Sequence, residues 1–263
     1  ILLRLPGAFP GGGAGRGRGF DWVTPSGEWR LAIHDELAST QDSVLAAAQA
    51  GEPGGLAVLA RRQTAGRGTQ GRGWTSPDGN LFLSVLLRPA GPARDLPRWG
   101  LLAGVALADA AAATLPPGAG LRLKWPNDLL LDGAKCAGIL AQGGVSPDGG
   151  IEWLVLGIGV NLAVAPPLPD RPTASFAGAG IAAPEPVAFA HHLLARIGHW
   201  CALGLPAARE AWLAHGPVPD APLRVRQGAA LQEGRFAGLD EDGRLLLATA
   251  AGMIAVAAGE LAG

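Results

Sequence analysis

Residues Gln63 to Trp74, QTAGRGTQGRGW, exclude more folds than any other stretch of this chain. Gly66, Gly68 and Gly71 spell GxGxxG, the spacing that in dinucleotide-binding folds ends a strand and opens a helix facing a pyrophosphate. No helix can follow here. After Gly71 come the turn formers RGWTSPDGN and then the apolar strand pattern of Asn80 to Arg88, with no acidic ribose ligand at the expected distance. A P-loop is excluded because no GKS or GKT occurs. The segment therefore has to link two strands, Gly55 to Arg62 and Asn80 to Arg88. Between Pro53 and Pro77 there is no acidic residue, while Arg61, Arg62, Arg67 and Arg72 fall inside, on a chain whose formal net charge is -1. The local field is positive where the global one is not. Glycines let backbone N–H groups approach an anion, and arginines add forked donors for phosphate or carboxylate, so the loop reads as an anion trap ordered by its ligand. A solvated surface turn has the same composition, so the rest of the chain must decide.

With 263 residues, 48% of them hydrophobic, the chain has room for one sizeable domain and a small one. No apolar run reaches the roughly 18 residues of a membrane span, and Ile1 to Leu5, broken by Arg4 and followed by Pro6, is too brief for a signal peptide. Cys136 and Cys201 have no CxxC partner and sit in apolar surroundings, which predicts buried free thiols and a reducing, cytoplasmic setting. Residues 1–27, with the Gly/Arg-rich Gly11 to Phe20, read as a disordered leader.

Strands and helices alternate without a regular βαβ rhythm. Glu28 to Asp35 reads as a strand; Ser39 and Thr40 have N-cap chemistry before the helix Gln41 to Ala50, which Gly51 closes. Leu96 to Leu115 is a long apolar helix stopped by Pro116 and Pro117. Leu121 to Trp125 is a short strand, and Leu129 to Leu140 a hairpin around Asp132 and Gly133. Ile151 to Leu162, apolar on both faces, is a central strand covered on both sides. Ala163 to Pro186 holds six prolines and is a loop; Pro186 to Leu203 and Pro206 to His215 are helices, and Gly216 to Pro222 a linker. The remaining residues show the short alternating strands of a small β-barrel.

Two further motifs bear on chemistry. KWPND places Lys124, Asn127 and Asp128 around a turn fixed by Pro126, with Lys135 across the following hairpin; Asp128 suits a Mg²⁺ ligand and Lys135 a phosphate or carboxylate. In LGIGVNL, Gly157 and Gly159 thin a central strand as though a ligand or backbone came close, and Asn161 follows at its end, able to read a base edge. An ordinary turn and a solvated lysine are the plain alternatives. His191, His192, His199 and His215 lack metal-ligand spacing, His34 at a strand end is at best a support, and Trp99, Trp153, Trp200 and Trp212 read as core.

STQDSVLAAA at Ser39, RRQTAGRGTQGRGWTSPDGNLFLSV at Arg61, KWPNDLLLDGAKCAGIL at Lys124 and GIGVNL at Gly157 stand in the order and spacing of the biotin–protein ligases, so the chain resembles that family from about Trp29 onward. The resemblance implies an α+β fold: a mixed sheet flanked by helices, similar to class II aminoacyl-tRNA synthetase catalytic domains, over 28–215, and a small SH3-like barrel over 223–263. It implies activation of biotin by ATP and Mg²⁺ to biotinyl-5'-AMP, then transfer to a lysine of a biotin carboxyl carrier protein. By the same resemblance Ser39, Thr40 and Gln41 line the biotin end. Gln63 hydrogen-bonds near the ureido or carboxyl side, Arg67, Gly68 and Thr69 close over the adenylate, and Trp74 covers it. Lys135, with Arg67 and a Mg²⁺ at Asp128, meets the carboxyl–phosphate junction; Asn161 sits on the nucleotide side, and Lys124, Asn127 and Gly138 are further substrate- or cofactor-binding residues. Where many members carry a second arginine this chain has Thr69, followed by Gln70, and Gly73 precedes Trp74, so a looser lid is expected. No DNA-binding domain is expected from the short Gly/Pro-rich front, and neither nucleic acid nor membrane is an expected partner. A lipoate or octanoate acyltransferase of the same fold, and a non-catalytic biotin sensor, stay open as alternatives, as does monomer against homodimer.

Overall fold

The computed structural model of the chain describes residues 2–5 and 28–262. In chain order the elements are β1 (Leu2–Leu5), β2 (Trp29–Leu37), α1 (Thr40–Gln49), β3 (Leu56–Gln63), β4 (Leu81–Leu87), α2 (Leu96–Ala112), β5 (Leu121–Lys124), β6 (Asp128–Leu131), β7 (Ala134–Val145) and β8 (Ile151–Val160). They continue as α3 (Pro186–Leu203), α4 (Leu205–His215), β9 (Pro222–Gln227), β10 (Ala230–Leu239), β11 (Leu245–Thr249), β12 (Gly252–Val256) and β13 (Glu260–Ala262). The first eight strands form one sheet in the order β1-β2-β3-β4-β8-β7-β6-β5. Only β2 and β3 run parallel, because α1 crosses over between them; hairpins and reversals make every other neighbour antiparallel.

β4 and β8 lie in the middle of the sheet, and their residues show why both faces are apolar. Leu81, Leu83, Val85 and Leu87 alternate with Phe82, Ser84 and Leu86, as Leu154, Leu156, Ile158 and Val160 do with Val155, Gly157 and Gly159. The first set of each strand joins the large core under α2 and α3. On the opposite face, Leu86 and Val155 pack with Val58 against Val44 and Ala48 of α1. That helix covers only part of its face, and the remainder is the floor described below. The N-cap expectation holds: Ser39 Oγ accepts from the Asp42 amide at 3.4 Å.

Leu2–Leu5, expected to lie in a disordered leader, instead pairs antiparallel with Trp29–Ala32 and extends the sheet by one edge strand. Four alternating residues followed by Pro6 give no strand signal on their own; the open edge of β2 supplies the partner. The Gly/Arg-rich stretch Gly11 to Phe20 lies outside the described residues.

The C-terminal strands form a five-stranded antiparallel sheet in the order β12-β11-β10-β9-β13, an open series rather than a hydrogen-bonded ring among the described residues. Its Phe236, Leu239 and Leu245 belong to the same core as α2 and α4, so the small unit is docked rather than tethered. Trp125 Nε1 donates to Gly243 O at 3.3 Å, and Arg209 donates to the carbonyls of Leu239 and Asp240. Both cysteines are buried and unpaired, and burial pushes each thiol up to about 12, which keeps them protonated and unreactive at neutral pH.

Candidate functional site

The floor of the site is a consequence of register. Phe82, Gly159 and Gly138 align across β4, β8 and β7, as do Ser84, Gly157 and Leu140 in the next row. The missing side chains admit two others. A Cβ at Gly159 would stand 2.5 Å from the Trp74 indole, one at Gly138 3.0 Å from it, and one at Gly157 2.4 Å from Gln41 Oε1. Trp74 and Gln41 therefore lie flat on a glycine-paved sheet, which is the close approach that glycines in a buried strand imply.

Gln63 to Trp74 folds as a short hairpin over this floor. Trp74 N donates to Gly66 O and Gly68 N to Arg72 O, both at 2.8 Å, with a 3-10 turn at Thr69–Gly71. Gln70 and Gly71 both take positive φ, 57° and 74°, which a tight turn of this kind requires. No helix follows, so the dinucleotide reading is excluded by structure as well. Arg67 pairs with Asp42 of α1 across a half-exposed gap, a contact worth only about 0–1 kcal/mol and readily exchanged for a ligand anion.

A cavity of about 530 Å³ opens between this lid, the floor and the segment 166–173, within the ordinary range for a small-molecule site. Ser39, Thr40 and Gln41 from the start of α1, and Gln63 from the end of β3, line one end. Arg67, Gly68, Thr69 and Trp74 line its roof. Asn127, Lys135, Gly138 and Asn161 contribute from the other side. Lys124 and Asp128 do not face it.

Hydrogen bonds run continuously along the narrow end. Gln63 Oε1 accepts from Thr40 N at 2.8 Å; the single hydroxyl hydrogen of Thr40 lies between Gln63 Oε1 at 3.2 Å and Ser84 Oγ at 2.9 Å, and Ser84 Oγ donates to Gln41 Oε1 at 3.2 Å. In the other direction Gln63 Nε2 donates to Ser76 Oγ at 3.1 Å, and Ser76 donates to Trp74 O. The pocket end is thus polar, ordered and tied to the base of the lid.

Lys135 Nζ sits 5.5 Å from the Trp74 ring centroid and donates to Asp128 Oδ1 at 2.6 Å. Asp128 is 7% exposed, and its second oxygen lies 3.5 Å from Arg171 Nη1. Both carboxylate oxygens are thus engaged by cations, and no group of three or more His, Cys, Asp or Glu that could hold a metal occurs among the described residues. The Mg²⁺ expected at Asp128 does not fit this arrangement: a dication would displace, and be repelled by, the two cations that already neutralise the carboxylate. Asp128 orients Lys135 instead. Two other assignments change in the same sense. Asn161 Nδ2 donates to Ala174 O at 3.1 Å and its Oδ1 meets Asn80, while Asn127 Nδ2 donates to Ile139 O at 2.7 Å. Both amides hold the walls together, so Asn161 does not stand free for a base edge.

Arg171 and Glu260 carry no weight in the sequence reading, yet they join three parts of the site. Arg171, in the proline-rich segment, donates to Glu260 Oε1 of β13 at 2.5 Å and to Asp170. Glu260 also accepts from Arg72 of the lid at 3.2 Å. Burial opposes its ionisation, but the Arg171 hydrogen bond and the charges of Arg171 and Arg72 outweigh that and hold the carboxyl below its ordinary range. Lys124, half-buried nearby, is lowered by burial and then by Arg171. Asp170 and Arg171 are the sole charges between Ala163 and Pro184, and Glu260 the sole one after Arg244. An isolated charge in an apolar stretch was the available signal.

The carboxylate clasp on the lid has a testable pH sign. A depressed pKa means the contact is present at neutral pH and lost as pH falls through the lowered value. Glu260→Gln should speed amide exchange in segment 66–74 about ten-fold at pH 7, one lost charge-assisted bond, and the gap to wild type should close on acidification. Equal exchange at pH 7 would mean that Glu260 does not hold the lid.

Residues 35–161 match the model of the biotin/lipoate A/B protein ligase family, and residues 223–261 that of the biotin protein ligase C-terminal domain. The fold is similar to the biotin protein ligase of Aquifex aeolicus solved with biotin and ATP, with a TM-score of 0.72 over 88% of this chain and 97% of that one at 24% identity. It is also similar to the Leishmania major biotin protein ligase solved with biotinyl-5-AMP, with a TM-score of 0.59 over 87% and 98% at 25% identity. A biotin–[acetyl-CoA-carboxylase] ligase of Mycobacterium tuberculosis is 35% identical over 247 residues, 89% of each chain. With the two domain models in this order, and a biotin–[acetyl-CoA-carboxylase] ligase of Paracoccus denitrificans 38% identical across 80% of this chain and 91% of its own, the protein belongs to the biotin protein ligase family.

Proposed function

We propose that the protein joins the carboxylate of biotin to the α-phosphate of ATP, releasing pyrophosphate, and then passes the biotinyl group to a lysine amine of a biotin carboxyl carrier domain, releasing AMP. The observation that supports this most is the cavity itself, with a polar, hydrogen-bonded end beside α1, an indole-and-glycine slot in the middle, Lys135 at the other end, and the arginine-bearing lid as its roof. A molecule with a polar head, an apolar body and an anionic tail fits that sequence of surfaces.

Each residue then has a physical task. Bringing a carboxylate to a phosphate opposes two anions, and Lys135, held in place by Asp128, supplies the fixed charge where negative charge develops. Arg67 adds a mobile one, exchanging Asp42 for the ligand. The lid and Trp74 shield the mixed anhydride from water until an incoming amine attacks its carbonyl and AMP departs. No enzyme nucleophile is required, and the two cysteines, buried and protonated, offer none.

The names of the relatives point to acetyl-CoA carboxylase as the owner of the carrier domain. No helix of the described residues is long and apolar enough to cross a membrane, and the two free thiols suit the cytoplasm. Exchange of labelled pyrophosphate into ATP tests the first half-reaction. Exchange should appear with biotin and be absent with lipoate or octanoate; equal exchange with octanoate would favour the lipoate-type activity.

A further inference from the structure

Gln142 lies one row beyond the glycine floor, level with Leu86 and Val155, and is not part of the cavity wall. Its Oε1 accepts from Gln41 Nε2 at 2.9 Å, while Gln41 Oε1 accepts from Ser84 Oγ at 3.2 Å. Gln41 is 3% exposed, lines the cavity, and rests on the bare backbone of Gly157. A primary carboxamide has two donor hydrogens and two acceptor lone pairs, so these contacts consume one of each and leave one N–H and one lone pair.

We propose that Gln142 is a specificity-determining positioning residue: by accepting from Gln41 Nε2 it fixes the carboxamide so that the cavity presents adjacent donor and acceptor groups matching the N–H and C=O edge of a cyclic urea. The inference rests on the functional reading above, in which the ureido ring of biotin occupies this end. Ser84 cannot make the choice alone, because a hydroxyl donates or accepts equally well and satisfies either orientation of the Gln41 amide. Gln142 with its oxygen toward Gln41 selects one of them and with its amide turned over would select the other, a reversal that a glutamate at this position, unable to donate, forbids. A flipped Gln41 would offer donor against donor to the ligand, an unpaired mismatch in a buried site.

The decisive substitutions are Gln142→Glu, which can only accept, and Gln142→Met, which keeps the bulk and removes the acceptor. Gln142→Glu should keep the biotin KM in pyrophosphate exchange within about two-fold of wild type, whereas Gln142→Met should raise it about ten-fold, the worth of one neutral hydrogen bond. The ATP KM and kcat should stay within about two-fold in both. Gln142→Ser, too short to reach Gln41, should repeat the loss and stands in if the Met variant does not fold. The proposal is overturned if Gln142→Met and Gln142→Ser bind biotin as wild type does, if Gln142→Glu loses as much as they do, or if the loss falls on ATP. Wild-type protein without biotin-dependent exchange would instead overturn the functional reading and this inference with it.

Discussion

Lys135→Met should lower biotin adenylation about 10²–10³-fold in kcat, the usual loss for one preorganised charge donor, while biotin binding stays within a few-fold. The separation follows from the geometry: Lys135 sits beside Trp74 and Asp128, away from the hydrogen-bonded end formed by Thr40, Ser84 and Gln63. The substitution should also destabilise the fold. Asp128 would be left buried with only Arg171 at 3.5 Å, a loss of about 2–3 kcal/mol, at or below the low end for a broken buried pair because one cation remains. Urea melts of Lys135→Met and of the double variant Lys135→Met/Asp128→Leu separate the two effects. The double variant should regain stability and remain inactive. Retained adenylation in Lys135→Met would remove the lysine from the mechanism, and a single variant as stable as wild type would show that Arg171 alone neutralises Asp128.

Gly159→Ala should cost nearly as much activity through shape alone. β8 is held between β4 and β7, so the strand cannot retreat from a Cβ that would stand 2.5 Å from the indole. Trp74 must leave the floor, and the hairpin whose last residue it is goes with it. We expect about a 10²-fold fall in adenylation from the misplaced lid and about 1–3 kcal/mol of lost stability from overpacking. The control is the background Trp74→Ala, in which the clash has no partner: there Gly159→Ala should cost under about 0.5 kcal/mol, a non-additivity expected only of residues in contact. Equal costs in both backgrounds would place the strain elsewhere. Gly157→Ala meets the far end of a side chain, Gln41 Oε1, and should be milder.

These effects trace back unequally to the sequence. β8 is legible because both of its faces are apolar, and the Gly157 and Gly159 gaps mark a close approach; what approaches is not legible, since Gln41 and Trp74 come from elements far along the chain. The hairpin at Asp132 and Gly133 is legible because its turn chemistry is local, and the structure gives both residues the positive φ that it needs. The lid is legible as an anion trap, yet its attachments are not. Thr69, where a second arginine is expected, accepts from Arg72 Nη2 at 3.3 Å, and Arg72 reaches Glu260 in the last strand. Contacts of that sequence separation leave no periodic trace.

Asp128 shows the opposite failure. A carboxylate in a turn next to two lysines has the composition of a metal site, and only the positions of Lys135 and Arg171 show that its charge is already answered. β1 is illegible for a related reason, because an edge strand of four residues is specified by the partner it finds rather than by its own pattern.

Incubating the protein with biotin, MgATP and a biotin carboxyl carrier domain, and following the carrier by intact mass together with released AMP, tests the account most directly. It predicts the addition of one biotinyl group to a single lysine, with one AMP released per group transferred and no reaction with octanoate or lipoate in place of biotin. Tight binding of biotin and ATP with no mass change and no AMP, or transfer of octanoate at a comparable rate, would contradict it.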